Sequence, residues 1–126
     1  MIFDWDVHFG DGTSEIFIED DSILFISIHR YDGGKFYPGG KSGSMKNLGS
    51  GKGKGFNINV PFDVSGMGND EYAYVCEKLL FPIIEEFQPD LILISAGFDS
   101  ALGDPLGGMK LTPEGYAYMT SRLKSI

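Results

Sequence analysis

Two near-continuous apolar runs, SILFISIHR at 22 to 30 and DLILISAGF at 90 to 98, constrain the fold of this chain more than any other feature. Runs rich in Ile and Leu with no polar alternation are the pattern of strands buried on both faces, and such strands belong to parallel sheets. A third strand is expected over IFDWDVHF, 2 to 9, and a short fourth over GFNINVPF, 55 to 62. Parallel strands need crossover connections, and the helical pattern that supplies one spans 69 to 87. There Tyr72, Val75, Leu79, Leu80, Ile83, Ile84 and Phe87 fall on one stripe, with Asn69 or Asp70 as cap and Pro82 as a bend. A second helix starts at Thr112 as N-cap, with Pro113 in its first turn. Strands alternating with helices define an α/β fold, a parallel sheet flanked by helices. The glycine-rich stretch from Tyr31 to Gly55 reads as a long functional loop in its aromatic first half and as a mobile segment over 40 to 54.

The 126 residues suit one domain. A formal charge of −8 argues against a direct grip on nucleic acid and favours a basic peptide or polyamine as partner. No apolar run reaches the ~20 residues of a membrane span, and MIFDWDV is not expected to act as a secretory leader, since it puts acids where a basic n-region would stand. The lone Cys76 has no internal disulfide partner. Both ends read as cut, so the expectation is a piece of a larger domain.

The chemistry starts in FDWDVHFGDGT, residues 3 to 13. In a strand, residues two apart share a face, which puts Asp4, Asp6 and His8 on one side and Phe3, Trp5 and Val7 on the other. Three ionisable groups on one face of a buried strand are costly unless a cation joins them. Taken alone, a DxDxH pattern also suits an exposed strand with a solvated polar face. Gly10 and Gly12 follow it immediately, however, and ligands in open α/β sheets sit beyond the carboxyl ends of strands. SAGFDSALGDPLGG brings Asp99 and Asp104 to the same end of the third run. Asp6, His8 and Asp99 together would make an oxygen and nitrogen ligand set with an open position, the form of a catalytic zinc site.

DWDVHFGDGT, SIHRYDGGKFYPGG, SAGFDSALGDPLGG and LTPEGYAYMT, in this order and spacing, resemble the middle of the catalytic domain of zinc-dependent histone deacetylases. The likeness is strongest to class II, in the branch that includes the cytoplasmic tubulin deacetylase and polyamine deacetylase. It covers nearly the whole chain and implies the parallel α/β sheet that these enzymes share with arginases, here as an incomplete central segment over 1–126. It implies that Asp6, His8 and Asp99 bind Zn2+, and that Asp4 and Asp11 orient the family's two catalytic histidines. Ser27 and Ile28, with backbone oxygens around Asp4, Asp6 and His8, match a potassium (K+) site, and Phe17 and Phe56 match a second. Tyr37 and Leu106 match walls of the acyl-lysine tunnel. The implied substrate is an acetyl-lysine protein, a histone tail or tubulin, or else an acetylpolyamine. The implied setting is nucleus or cytoplasm, with a corepressor complex as a partner and neither nucleic acid nor membrane contacted directly.

In such enzymes zinc polarises the acetyl carbonyl, its bound water attacks, a histidine moves the proton and a tyrosine hydroxyl steadies the oxyanion. The tandem histidines fall upstream of Asp4 and the tyrosine turn downstream of Ile126. With His8 and His29 the only histidines, the 126 residues alone are expected to have little or no deacetylase activity. Phe9 stands where the family usually has a second histidine, which removes a polar support for the ligands. Asp11 beside WDVH mixes class I and class II signatures. Arginase-like manganese chemistry fits less well, because it expects DxHxD and Asp11 lies three residues after His8. The alternative from another class is a non-catalytic module that keeps only a binding surface.

Overall fold

The computed structural model describes all residues from 1 to 126. Four strands, β1 (Ile2–Asp4), β2 (Phe25–Arg30), β3 (Asn57–Phe62) and β4 (Leu93–Ser95), form one sheet in the order β3-β2-β1-β4. Every pairing is parallel, as the apolar runs predict. The helices are α1 (Asp11–Phe17), α2 (Asn69–Val75), α3 (Phe81–Phe87) and α4 (Pro113–Leu123). None is long and apolar enough to cross a membrane.

The sheet has two unlike faces, and its register explains why. Phe3 pairs with Ile26 and Ile26 with Ile58, so one face is apolar and packs on α2, α3 and α4 through Trp5, Tyr72, Leu80, Phe81, Ile84, Leu111 and Met119. Shifting one residue along turns every side chain to the other face. There Ser95, Asp4, Ser27 and Asn59 stand opposite one another across all four strands, a polar row on a buried surface. This face is covered by α1, tied to β3 by the buried Asn57 amide, which donates to Ser14 Oγ at 2.7 Å, and by the 31 to 55 loop.

Several boundaries depart from the pattern reading. β1 ends at Asp4, not residue 9, because carboxylates take over the ladder's donors: Asp4 Oδ1 accepts the N–H of Asp6 at 3.0 Å and Asp6 Oδ1 that of His8 at 2.7 Å. An aspartate that bonds the backbone two residues on offers the chain a turn in place of a strand. β4 is only three residues long, and Leu91 and Leu93 are 63% and 54% exposed, because it is an edge strand with one open face. Helix α1 has no sequence expectation behind it, since DGTSEIF lacks an apolar stripe.

The 69 to 87 helix is continuous but changes form. Gly68, with Glu71 accepting its N–H at 2.7 Å, takes the capping position in place of Asn69 or Asp70, whose neighbour Asn69 instead bonds Thr112. Between α2 and α3 the segment Cys76–Leu80 is a π-turn, with the Phe81 N–H reaching back to the Cys76 carbonyl. Pro82 follows directly; a ring that clashes with the carbonyl four residues back is accommodated by one wider turn. The extra residue rotates the stripe, so Leu79 is exposed while Cys76 and Phe81 are buried. The Thr112 start of α4 stands as expected.

The loop from 40 to 54 is not free. The buried Asn59 amide lies within hydrogen-bond reach of the carbonyls of Ser42, Ser44 and Asn47 at 3.2 to 3.3 Å, and His29 Nε2 sits 2.8 Å from that of Gly43. Two side chains on neighbouring strands thus hold a glycine-rich segment against the polar face.

Candidate metal centre

Beyond the carboxyl ends of β1 and β4 three donor groups converge. Ligand atoms of Asp6, His8 and Asp99 all lie within 4.8 Å of one another. His8 Nδ1 is 3.0 Å from Asp6 Oδ1 and 2.9 Å from Asp99 Oδ2. The backbone sets this spacing: the Val7 N–H donates to Asp99 Oδ1 at 2.8 Å, which anchors the distant acid between the other two donors and leaves its second oxygen facing the cluster. All three side chains are part exposed, at 36%, 30% and 24% for Asp6, His8 and Asp99, so a small ion and a substrate atom could reach them from solvent.

Two carboxylates and one imidazole suit zinc, and three protein ligands leave room for a fourth. The surroundings fit as well. A Cβ at Gly97 would come 2.1 Å from Asp6 Oδ2, and one at Gly10 would come 2.4 Å from Asp4 Oδ2, so both carboxylates occupy space that only glycine leaves open.

Asp4 stands behind the donors, 4% exposed, at the head of a cleft of about 390 Å3 that it shares with Asp6, His8, Phe9, Tyr37 and Gly97. Burial, and then the carboxylates of Asp6 and Asp99, push its acid up to about 7, against the partial relief given by the Asp6 N–H. No cationic side chain pairs with it among the ion pairs of the chain. Asp11 is exposed at the first position of α1 and lines the neighbouring cleft with Phe9, Ser14 and Lys41, not the cleft of the donors. Ser27 is Asp4's register partner, and its hydroxyl lies 2.8 Å from His29 Nδ1; Ile28 follows it, fully buried. The Phe17 carbonyl accepts the Asp20 N–H and the Phe56 carbonyl the Phe25 N–H.

Tyr37 and Leu106 are 75% and 74% exposed, and Tyr37 meets the edge of the His8 ring at 5.8 Å between centroids. The closer neighbour was not legible in the sequence: Phe36 stacks on His8, centroids 5.3 Å apart and planes 18° off parallel. Its only signal was its place in the aromatic knot beside Tyr37. His29, fully buried, has both ring nitrogens engaged, and burial holds it down to about 4, so it is neutral and turned away from the cleft.

The chain is similar to known proteins over its whole length. The sequence model described as Histone deacetylase domain matches residues 1–126. Histone deacetylase HDA1 of Candida albicans is 50% identical over 126 residues, all of this chain and 15% of its own length. The polyamine deacetylase HDAC10 of Rattus norvegicus is 46% identical over 124 residues, 98% of this chain and 21% of its own. The solved structure of the histone deacetylase Clr3 superposes with a TM-score of 0.98 at 44% identity, over 99% of this chain and 21% of that one. The chain therefore spans about a fifth or less of the curated relatives named here.

Proposed function

The chain belongs to the histone deacetylase family, and from that membership we propose that residues 1–126 are the central, metal-holding segment of a catalytic domain that hydrolyses acetyl-lysine. The observation that carries this reading is the meeting of Asp6, His8 and Asp99 from two strand ends at one open cleft. Asp6, His8 and Asp99 would hold zinc, which supplies Lewis acidity toward an acyl carbonyl and lowers the pKa of a bound water.

The chain's own residues do the rest of the positioning. The Val7 N–H fixes Asp99, and the Asp6 N–H and Asp4 carboxylate fix the backbone that carries Asp6 and His8. Phe36 holds the His8 ring by one face. Tyr37, at the cleft rim, and the exposed Leu106 would line the stem of an acyl-lysine, whose methylenes gain by contact with apolar walls. Asp4, buried without a cationic partner and level with Ser27, suits a potassium ion held with backbone oxygens including that of Ile28. Proton transfer is the function these residues do not supply. His8 belongs to the donor set, and His29 is sealed between Ser27 and Gly43. Little hydrolysis is therefore expected of the 126 residues by themselves.

An acetylpolyamine is the second substrate reading, favoured by the formal charge of −8 and by likeness to a polyamine deacetylase. The first test is a Zn2+ or Co2+ titration of the chain: one ion per chain is expected, with a four- or five-coordinate cobalt spectrum that vanishes in His8→Ala and Asp99→Asn. A folded chain that takes up no metal would sink the reading. Competition between an acetyl-lysine peptide and an acetylpolyamine for the loaded protein separates the two substrates.

A further inference from the structure

We propose that Arg30 is a positioning residue that staples together the two loops carrying Tyr37 and Leu106, and so sets the separation of the two channel walls. The inference rests on the reading of Tyr37 and Leu106 as walls, although the staple itself is a property of the loops. Arg30 ends β2, and its backbone N–H donates to the Val7 carbonyl at 2.8 Å, between the donors Asp6 and His8. Its side chain then reaches three ways. Nε donates to both oxygens of Asp32, at 3.1 and 3.0 Å, and Nη2 lies 2.7 Å from Asp32 Oδ2. The guanidinium carbon stands 4.5 Å from the ring centroid of Phe36, the ring that also stacks on His8. Nη1 donates to the carbonyl of Gly107, next to Leu106, at 3.2 Å.

One planar cation therefore touches the loop of Tyr37 at two points, the loop of Leu106 at one, and by its own backbone the segment between two metal donors. Only a rigid fork with several donors can do this at once, and a lysine ammonium cannot. The pair is only part exposed, 21% for Arg30 and 26% for Asp32, so water screens it incompletely. The fit is close: a Cβ at Gly108, whose φ is +67°, would come 2.8 Å from Nη1.

The rival account is that each loop holds itself. Asp104 Oδ1 accepts the N–H groups of Leu106 and Gly107 at 2.9 and 2.7 Å, and Asp63 accepts that of Gly33 at 2.8 Å. Amide hydrogen exchange on the chain, read by mass spectrometry in wild type, Arg30→Ala and Arg30→Lys, decides between them. The staple predicts that residues 31–40 and 103–109 both exchange at least about tenfold faster in both variants, while β2 and β3 stay at wild-type rates. If either loop keeps its wild-type rate in a folded variant, or if lysine restores both, the staple is overturned. Arg30→Lys carries the test should the alanine variant not fold. Zinc titration of the same samples reports on the metal centre separately: coupled loosening in a chain that binds no zinc would keep the staple and remove the functional reading.

Discussion

Asp4 and His29 carry opposite electrostatic burdens on the same polar face. Asp4 binds its proton more tightly folded, at about 7, than unfolded, at 3.8. Its contribution is therefore fully present below about pH 4 and is lost as the pH rises through 7, by up to about 4 kcal/mol. His29 runs the other way, held down to about 4 from 6.5, so its contribution is present above about pH 6.5 and is lost as the pH falls toward 4. The two cancel in part between them. With a chelator present, urea unfolding from pH 4 to 8 should show stability that climbs between pH 4 and 6.5 in Asp4→Asn, and falls with pH in His29→Asn. Parallel profiles for the two variants would contradict the burial assigned to both groups. The sequence singles out Asp4, Asp6 and His8 by two-residue spacing and glycine neighbours, and Asp99 by its place at the end of another apolar run. The structure brings Asp6, His8 and Asp99 together. Phe36 and Arg30 are not singled out by the sequence, since nothing in it announces which ring of an aromatic pair will stack or which carbonyl a guanidinium will find.

At the scale of elements, the parallel strands and the two main helical segments were readable from apolar period, but their ends were not. Asp4 and Asp6 stop β1 by taking backbone donors, and Pro82 is absorbed by a π-turn that shifts Leu79 to the surface. The 40 to 54 loop is the largest difference between pattern and structure. Its glycines suggest mobility, yet Asn59 reaches three of its carbonyls from β3. Asn59→Ala should cost about 1 kcal/mol, the net worth of a typical intramolecular hydrogen bond, because the Ser42 and Ser44 carbonyls keep Asn47 as a donor while the tie to β3 is lost. It should also open Lys41 and Lys46 to trypsin, with peptide release at those sites rising at least about tenfold over wild type. Equal digestion of both proteins would show that Asn59 does not hold the loop.

At the scale of the molecule, a sheet with one apolar and one polar buried face divides the labour between stability and chemistry. The apolar face carries the core, while the polar row Ser95, Asp4, Ser27 and Asn59 leads toward the candidate donors Asp6, His8 and Asp99. An ion that binds only the folded chain stabilises it by mass action, about 2.7 kcal/mol at a hundredfold excess over Kd. For 126 residues that is roughly 10 °C in Tm. Removing Zn2+ with a chelator should lower Tm by about that much, and Asp99→Asn should show no such response; a Tm indifferent to zinc in the wild type would count against the site.

Sequence by itself determined the parallel α/β class, the apolar helix stripe and the residue types that could take a metal, because periodicity and composition are local properties of the chain. Tertiary structure alone decided which of those residues meet. Asp99 lies 91 positions from His8 and reaches it only because β4 pairs with β1 in parallel, strand end beside strand end, and because the Val7 N–H holds its carboxylate in place.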